Sequence, residues 1–305
     1  MEFPKGLNRN ISLSYNRMSH QDFLDSLKNP YKRTHKIRVI KSLKRKIQTL
    51  NAKYGRSGDY IQSKQGFKKK VGSVVRVPET YFYTIDSKGI SPGLDHDEFV
   101  MKPNHLSRGL GIRILEKTDD GRYQDINGDV LTEKELIEEA QAIMGVGRAW
   151  KTARGILFEE RIRSHDKLKE FMVGDGIADI RLAFFDKEFQ FGVARFPTIK
   201  SKGYGNTGRG ASWGVFLDSG EFVNDDRFLP CDLTKGTLPF YEDMIQVSQK
   251  VLQLYQFPFQ TVDLTVDHDG DVVVIESEKS PQLEVYLTKN GATWLYKKVL
   301  GKLRK

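Results

Sequence analysis

The spacing of apolar positions changes several times along the chain, and each change predicts an element. Between 31 and 54 (YKRTHKIRVIKSLKRKIQTLNAKY), Ile37, Ile40, Leu43, Ile47, Leu50 and Tyr54 recur every three or four residues with cations filling the other positions, which predicts an amphipathic helix. The glycine- and serine-rich stretch at 55–66 reads as a polar linker. Lys68, Lys69 and Lys70 then precede a β-like run at 71–77 that Pro78 stops. From residue 98 the order becomes regular. Strands are expected at 98–102 and 111–117, a helix at 132–144 opened by a Thr132-x-x-Glu135 capping box, and a further strand at 155–162. Strand-like runs follow at 180–185, 189–196 and 211–217, then a helix at 238–256. Two last strands enclose a turn at 267–270. No internal repeat is visible.

The final hairpin, TVDLTVDHDGDVVVIESEKSP, carries the most specific chemistry. Asp263 can face Glu276 and Glu278 across the pair, and alternation puts the two glutamates on one face. Carboxylates converging in this way repel unless a cation sits between them, and an oxygen-only cluster suits magnesium bridging nucleotide phosphates. A solvated polar hairpin face is the plain alternative. Lys102 ends an apolar strand and is followed by PNHLSRGLGI, where Gly109 and Gly111 let backbone amides approach an anion and Ser107 adds a hydroxyl. An ordinary hairpin turn is also compatible with that loop. That loop has neither the P-loop nor the G-x-G-x-x-G spacing, which disfavours those nucleotide folds there.

The strand GILFEERI ends in Glu159 and Glu160, which suits recognition of a base or sugar or simply a charged strand terminus. Arg181 and Arg195 lie inside apolar strands and need partners, either phosphate or an internal carboxylate. The glycine-rich segment SKGYGNTGRGASWG, with Asn206, Thr207, Arg209 and Ser212, reads as a polar loop for an anionic substrate or the transferring phosphoryl group. No Ser/His/Asp or Cys/His grouping is evident, and His165 reads as a loop or hinge residue or an acid–base group.

Composition narrows the class. At 305 residues the chain can hold two domains or one with subdomains. It has no apolar run of membrane-spanning length and no apolar signal core, so a soluble cytoplasmic protein is expected. A single cysteine, Cys231, excludes an internal disulfide framework, and the histidines show no paired ligand spacing, which argues against a nitrogen- or sulfur-bound metal. The net charge of +9 is unevenly spread: residues 1–70 hold 18 Lys/Arg against 4 Asp/Glu, so the remainder is net acidic. That asymmetry fits a nucleic-acid or anionic-membrane surface, an acidic partner, or a lysine-rich solvated helix face.

Taken in order, FVMKPNHLSRGLGI, FEERIRSH, DIRLAFF, VARFP with NTGRG, and VDLTVDHDGDVVVIESEKSP resemble the ATP-grasp superfamily, and within it the α-L-glutamate ligase-related or sugar-transfer-associated group. The opening GLNRNISLSYNR is similar to the start of that group. The resemblance implies an α+β ATP-grasp fold in which two α+β subdomains grip ATP, here a basic helical region at 1–75, a lid subdomain at 76–162 and a C-terminal subdomain at 163–305. It further implies that Lys102 contacts ATP phosphates and that Ser107, Arg108, Gly109 and Gly111 close over them. Glu159, Glu160 and Ile162 would line the adenine, and Arg181 and Arg195 would stabilise the transferring phosphate and acyl phosphate. Asp263, Glu276 and Glu278 would hold magnesium. An earlier ATP-binding lysine should precede Pro78, with Lys64 preferred over Lys68. Two departures stand out: Glu278 occupies a position usually held by asparagine, and the usual arginine–proline element is replaced by Lys279-Ser280-Pro281.

The implied activity is an ATP-dependent carboxylate–amine ligase working through an acyl phosphate, adding glutamate or another amino acid to an anionic small-molecule or peptide substrate, with nucleic acid not expected as a partner. The alternatives are an ATP-dependent phosphotransferase on the same fold, and a nucleic-acid or anionic-surface binding protein with a degenerate nucleotide site.

Overall fold

In the computed structural model the described residues are 36–54, 64–86, 89–90, 94–104, 111–145, 155–173, 176–206, 210–222, 236–255, 257–279 and 289–304. They form two antiparallel sheets with helices packed on them. The first sheet has the order β1-β6-β2-β3-β4-β5 and is built from β1 (Thr80–Thr84), β2 (Glu98–Pro103), β3 (Arg113–Lys117), β4 (Tyr123–Asp125), β5 (Val130–Leu131) and β6 (Ile156–Glu159). The second has the order β11-β10-β7-β8-β9, from β7 (Asp179–Phe185), β8 (Glu188–Phe196), β9 (Ser212–Phe216), β10 (Phe259–Val266) and β11 (Val272–Glu278).

Strand alternation sorts each sheet into a core face and a chemical face. In the first sheet Phe99, Met101, Ile156 and Phe158 pack with Leu136, Ala140, Ile143 and Met144 of α3 (Glu133–Gly145). The neighbouring positions Lys102 and Glu159 therefore point away from α3. The expected capping box opens that helix: Thr132 N–H donates to Glu135 Oε2 at 2.8 Å, and Glu135 N–H donates to Thr132 Oγ1 at 3.3 Å.

The second sheet is covered on both faces. Ile180, Leu182, Ala194, Phe196, Phe216, Val262, Leu264 and Val274 pack with Met244, Val251 and Leu252 of α5 (Tyr241–Leu254). On the opposite face Ala183, Phe185, Phe191, Val193, Val215 and Phe259 pack with Leu43, Ile47 and Leu50 of α1 (Lys36–Tyr54) and with Leu295 and Val299 of α6 (Lys289–Arg304). Leu43, Ile47 and Leu50 of the apolar stripe that predicted α1 are thus spent on the sheet. Asn51, buried in the same helix, accepts from Phe259 N–H at 3.0 Å and donates to the carbonyls of Phe259 and Lys279 at 2.7 and 2.8 Å.

Several expectations are corrected. The run at 71–77 is not a strand, because residues Lys64–Val71 form α2 and a turn follows. Phe67 and Val71, one helical turn apart, bury into the core under α5, and this outweighs the β propensity of the valines. The linker expected at 55–66 consequently loses residues 64–66 to α2; residues 55–63 lie outside the described part. β6 ends at Glu159 rather than at 162; beyond it the Glu160 side chain is bound by Arg76 and its N–H donates to the Glu79 carbonyl at 2.9 Å. The helix expected at 238–256 starts at Tyr241, after Phe240 with φ +61°. The patterns did not reveal β1, β4, β5, α6 or the short α4 (Asp166–Lys169), for which His165 serves as N-cap, its Nδ1 accepting from Lys167 N–H at 3.1 Å.

Gly192 sits opposite Phe216 in the β8–β9 ladder, and a Cβ there would fall 2.0 Å from the Phe216 ring. The ring is fully buried, so it has nowhere to retreat. Gly192→Ala is expected to lower unfolding free energy by roughly 1–3 kcal/mol through overpacking, measurable by denaturant titration. A variant as stable as the parent would contradict this packing.

Candidate active site

From the first sheet, β2 and β6 present Lys102 and Glu159 on the face turned away from α3. Both are buried, and Lys102 Nζ forms an ion pair with Glu159 Oε1. Lys68 of α2 reaches the other oxygen, Oε2, and also donates to the Pro78 carbonyl at 3.1 Å. Two ammonium groups thus share one carboxylate. Burial pushes Lys68 down to about 8, with the neighbouring Lys102 adding to the shift and Glu159 opposing it. Burial works to raise Glu159, but Lys102 and Lys68 outweigh it and hold the carboxyl below its ordinary range.

Lys64 lies one helical turn before Lys68, at the start of α2. Asn104, just after the Lys102–Pro103 pair, accepts from Gln65 N–H at 3.0 Å and fixes the start of that helix. Burial lowers Lys64, and its charged neighbours are Glu276, Lys102, Glu159 and Glu278. Those groups belong to both sheets. Lys64 therefore stands where the lysines of the first meet the carboxylates of the second.

In the second sheet a one-residue bulge re-aims the hairpin. Asp263 pairs with Glu276 and Leu264 with Val274, so Ile275 is the extra residue. Before the bulge Val272 and Val274 face the core under α5; after it, Glu276 and Glu278 turn to the opposite face, where Arg181 and Asp263 lie. Uninterrupted alternation would have put Glu276 in the core.

Asp263 is the centre of the resulting cluster. Arg181 Nε donates to its Oδ1 at 2.7 Å and Arg181 Nη2 to its Oδ2 at 2.5 Å, a bidentate pair, while Arg195 Nη2 donates to the same Oδ2 at 3.0 Å. Arg195 also binds Asp179. Arg181 Nη2 lies 3.2 Å from Glu278 and 4.0 Å from Glu276. Internal carboxylates are therefore the partners of both arginines.

Four carboxylates here surround two guanidiniums, and the imbalance shows in their acidities. Burial raises Asp179 to about 7, with Arg195 opposing and Asp263 adding to it. Burial likewise raises Glu278 to about 7 against Arg181, helped by Glu276 and Asp263. Asp263 is held below the ordinary range, because Arg181 and Arg195 outweigh its burial. The donor set is oxygen-rich and short of positive charge, which fits a hard divalent cation. No three His, Cys, Asp or Glu side chains among the described residues are gathered as a metal cage, and both Asp263 oxygens accept from Arg181.

The other expected site residues are more dispersed. Glu160 is bound bidentately by Arg76, at 3.2 and 2.8 Å, and accepts from Glu79 N–H. Arg76 Nη2 also lies 2.9 Å from Asp267 at the β10–β11 turn, joining the two sheets. Ile162 is buried, and Gly111 lies against Ile143 at the start of β3. Asn206 and Ser212 flank the glycine-rich loop, where the Asn206 carbonyl accepts from Ala211 N–H and Ser212 Oγ donates to the Phe196 carbonyl. Gly205 brings that loop against the charged cluster, leaving no room for a Cβ beside Asp179. Ser107, Arg108, Gly109, Thr207 and Arg209 lie outside the described residues. Sequence reasoning passed over Asp179, Asn104 and Arg76; Asp179, two residues before an arginine in an apolar strand, was the one with a readable signal.

No curated protein matches the chain significantly. Similar solved structures include the D-cycloserine synthetase DcsG (15% identity, TM-score 0.46, covering 80% of this chain and 70% of that one). Another is the ATP-grasp ligase PsnB with a minimal precursor (13%, 0.43, 79% and 60%). A third is D-alanine–D-alanine ligase from Bacillus anthracis (14%, 0.43, 80% and 65%). The chain thus spans less than two thirds of the last two. A family model described as sugar-transfer associated ATP-grasp matches residues 48–228, which takes in Lys64, Lys68, Lys102, Glu159, Arg181 and Arg195 and stops before the acidic hairpin. That match covers more than half of the sequence, and the protein belongs to the sugar-transfer-associated ATP-grasp family.

Proposed function

We propose that the protein is an ATP-dependent ligase that activates a carboxylate as an acyl phosphate and joins it to an amine, releasing ADP and phosphate. The observation that carries this reading is the junction at α2: Lys68 pairs with Glu159 of the first sheet beside Lys102, Phe67 and Val71 bury in the core of the second, and Arg76 binds both Glu160 and Asp267, with Lys64 one helical turn before Lys68. Cations suited to a triphosphate and carboxylates suited to a divalent ion therefore border one space. The substrate class we infer is a small acid or peptide carboxylate with an amino-acid amine.

On this reading a substrate carboxylate oxygen attacks the γ-phosphorus and ADP departs; the amine then attacks the acyl carbon and phosphate departs. Such a reaction needs positioning and charge neutralisation rather than a protein nucleophile. Lys102 and Lys64 neutralise phosphate oxygens, and Glu159 keeps Lys102 and Lys68 in place between turnovers. Arg195 and Arg181, held by Asp263, present fixed guanidinium charge to the transferring group and the acyl phosphate. Glu276 and Glu278, the two more exposed carboxylates, would hold magnesium, with Asp263 orienting the arginines behind them. Bound there, the ion would offset the negative charge of the phosphates. Glu160 and Ile162 mark the base side, and Asn206 and Ser212 the acceptor side. In this proposal the lid runs from 76 to 162 and the second subdomain from 163 to 305.

Three outcomes are expected. Lys102→Met and Glu276→Gln should each abolish ADP release in a screen of acids and amines while leaving the protein folded by circular dichroism; full turnover in both would refute the assignment. Glu159→Gln should lower stability by about 3–5 kcal/mol, because two buried ammonium groups lose their counter-charge. A thermal or urea melt reads that loss.

The third outcome concerns pH. Asp179 and Glu278 are raised in the folded protein from 3.8 and 4.5 to about 7. Between those ordinary values and about 7 the folded state binds more protons than the unfolded chain, so their contribution to stability falls as pH rises through that window. Magnesium competes with the same protons. Its stabilising effect in thermal melts should therefore grow as pH rises toward and above 7, and a magnesium effect independent of pH would count against Glu278 as a ligand.

A further inference from the structure

One face of the molecule remains outside this chemistry. α1 carries seven Lys/Arg and no acidic residue over Lys36–Tyr54. α6 carries five and none over Lys289–Arg304. The two helices lie side by side on the same sheet face: Tyr54 OH donates to the Lys302 carbonyl at 3.0 Å, and Lys53 Nζ lies 3.4 Å from the Leu303 carbonyl. The sequences of the two helices together hold twelve Lys/Arg. Lys298 and Lys302 turn back to the sheet, toward Gln190 and Asp186. Arg45, Lys53 and Arg304 are exposed, and Lys44, Lys46 and Lys297 are partly so.

We propose that the α1–α6 layer docks the protein on the anionic headgroup plane of a membrane. Three features favour that partner over nucleic acid. The cations are mostly lysine, nine against three arginines, and lysine is a hydrated point charge suited to a diffuse negative field rather than to bidentate readout of phosphates or bases. The helices lie flush against a five-stranded sheet and against each other, so neither projects as a helix entering a groove must. The described aliphatic residues of the α1 stripe, Leu43, Ile47 and Leu50, are buried at 0–1% exposure. Attachment is therefore electrostatic and peripheral, without insertion. The layer covers the same sheet face that carries Arg181 and Asp263 further along the strands, so docking brings a surface-bound anionic substrate near the charged cluster.

This inference is independent of the ligase reading, and the test separates the two. The full chain is sedimented with phosphatidylglycerol–phosphatidylcholine vesicles and with pure phosphatidylcholine vesicles, at low and high salt, beside a duplex DNA and an RNA oligonucleotide. The expected result is binding to the anionic vesicles alone, weakening with salt. Lys44→Gln/Arg45→Gln/Lys46→Gln should reduce it by roughly tenfold or more, with an unchanged melting temperature and unchanged nucleotide binding. Lys297→Gln/Arg304→Gln, from the other helix, should weaken it independently should the triple variant fold poorly. Absence of vesicle binding, vesicle binding unaffected by both variants, or tighter binding to either nucleic acid at equal salt overturns the proposal.

Discussion

The pairing of Asp263 with Arg181 is the constraint from which the second half of the site follows. Both are buried at the centre of a sheet, where a charge without a counter-charge is strongly destabilising. The bidentate geometry satisfies the guanidinium, and Arg195 extends it to Asp179 on the neighbouring strand. Asp263 is thereby held below its ordinary range, whereas Asp179 and Glu278 are raised. The negative charge not absorbed there is displaced to Glu276 and Glu278 near the surface. Such a cluster is neutralised at its base and short of positive charge at its rim.

α2 brings the opposite charges into range by using two faces of a single short helix. Phe67 and Val71 bury into the second sheet's core, while Lys68 points at Glu159 of the first sheet. A helix can do this where a strand at the same place would not, because positions three and four apart share a face and intervening ones do not. Asn104 holds the start of that helix and follows Lys102 by two residues, so the two lysines are positioned by one local arrangement.

Much of this was readable from residue spacing. The hairpin and its turn follow from period-two alternation and a DHDG turn, and α1 and α3 follow from their apolar stripes and a capping box. The missing parts have identifiable causes. α2 was hidden because Gly66 and a lysine run look like loop, and its two apolar anchors become meaningful only with the core they enter. The Ile275 bulge has no signature in VVVIESE, although the orientation of both glutamates depends on it. Whether Arg181 meets phosphate or carboxylate was open in the sequence, since an apolar strand says that a cation needs a partner and not which one.

Asn51 gives the basic layer a mechanical connection to the cluster. Its carboxamide clips α1 to Phe259 at the start of β10 and to Lys279, one residue past Glu278. The helix and the end of the strand that bears Glu276 and Glu278 are thereby tied to one carboxamide, so the register of α1 along the sheet is fixed at the same point where that strand leaves it.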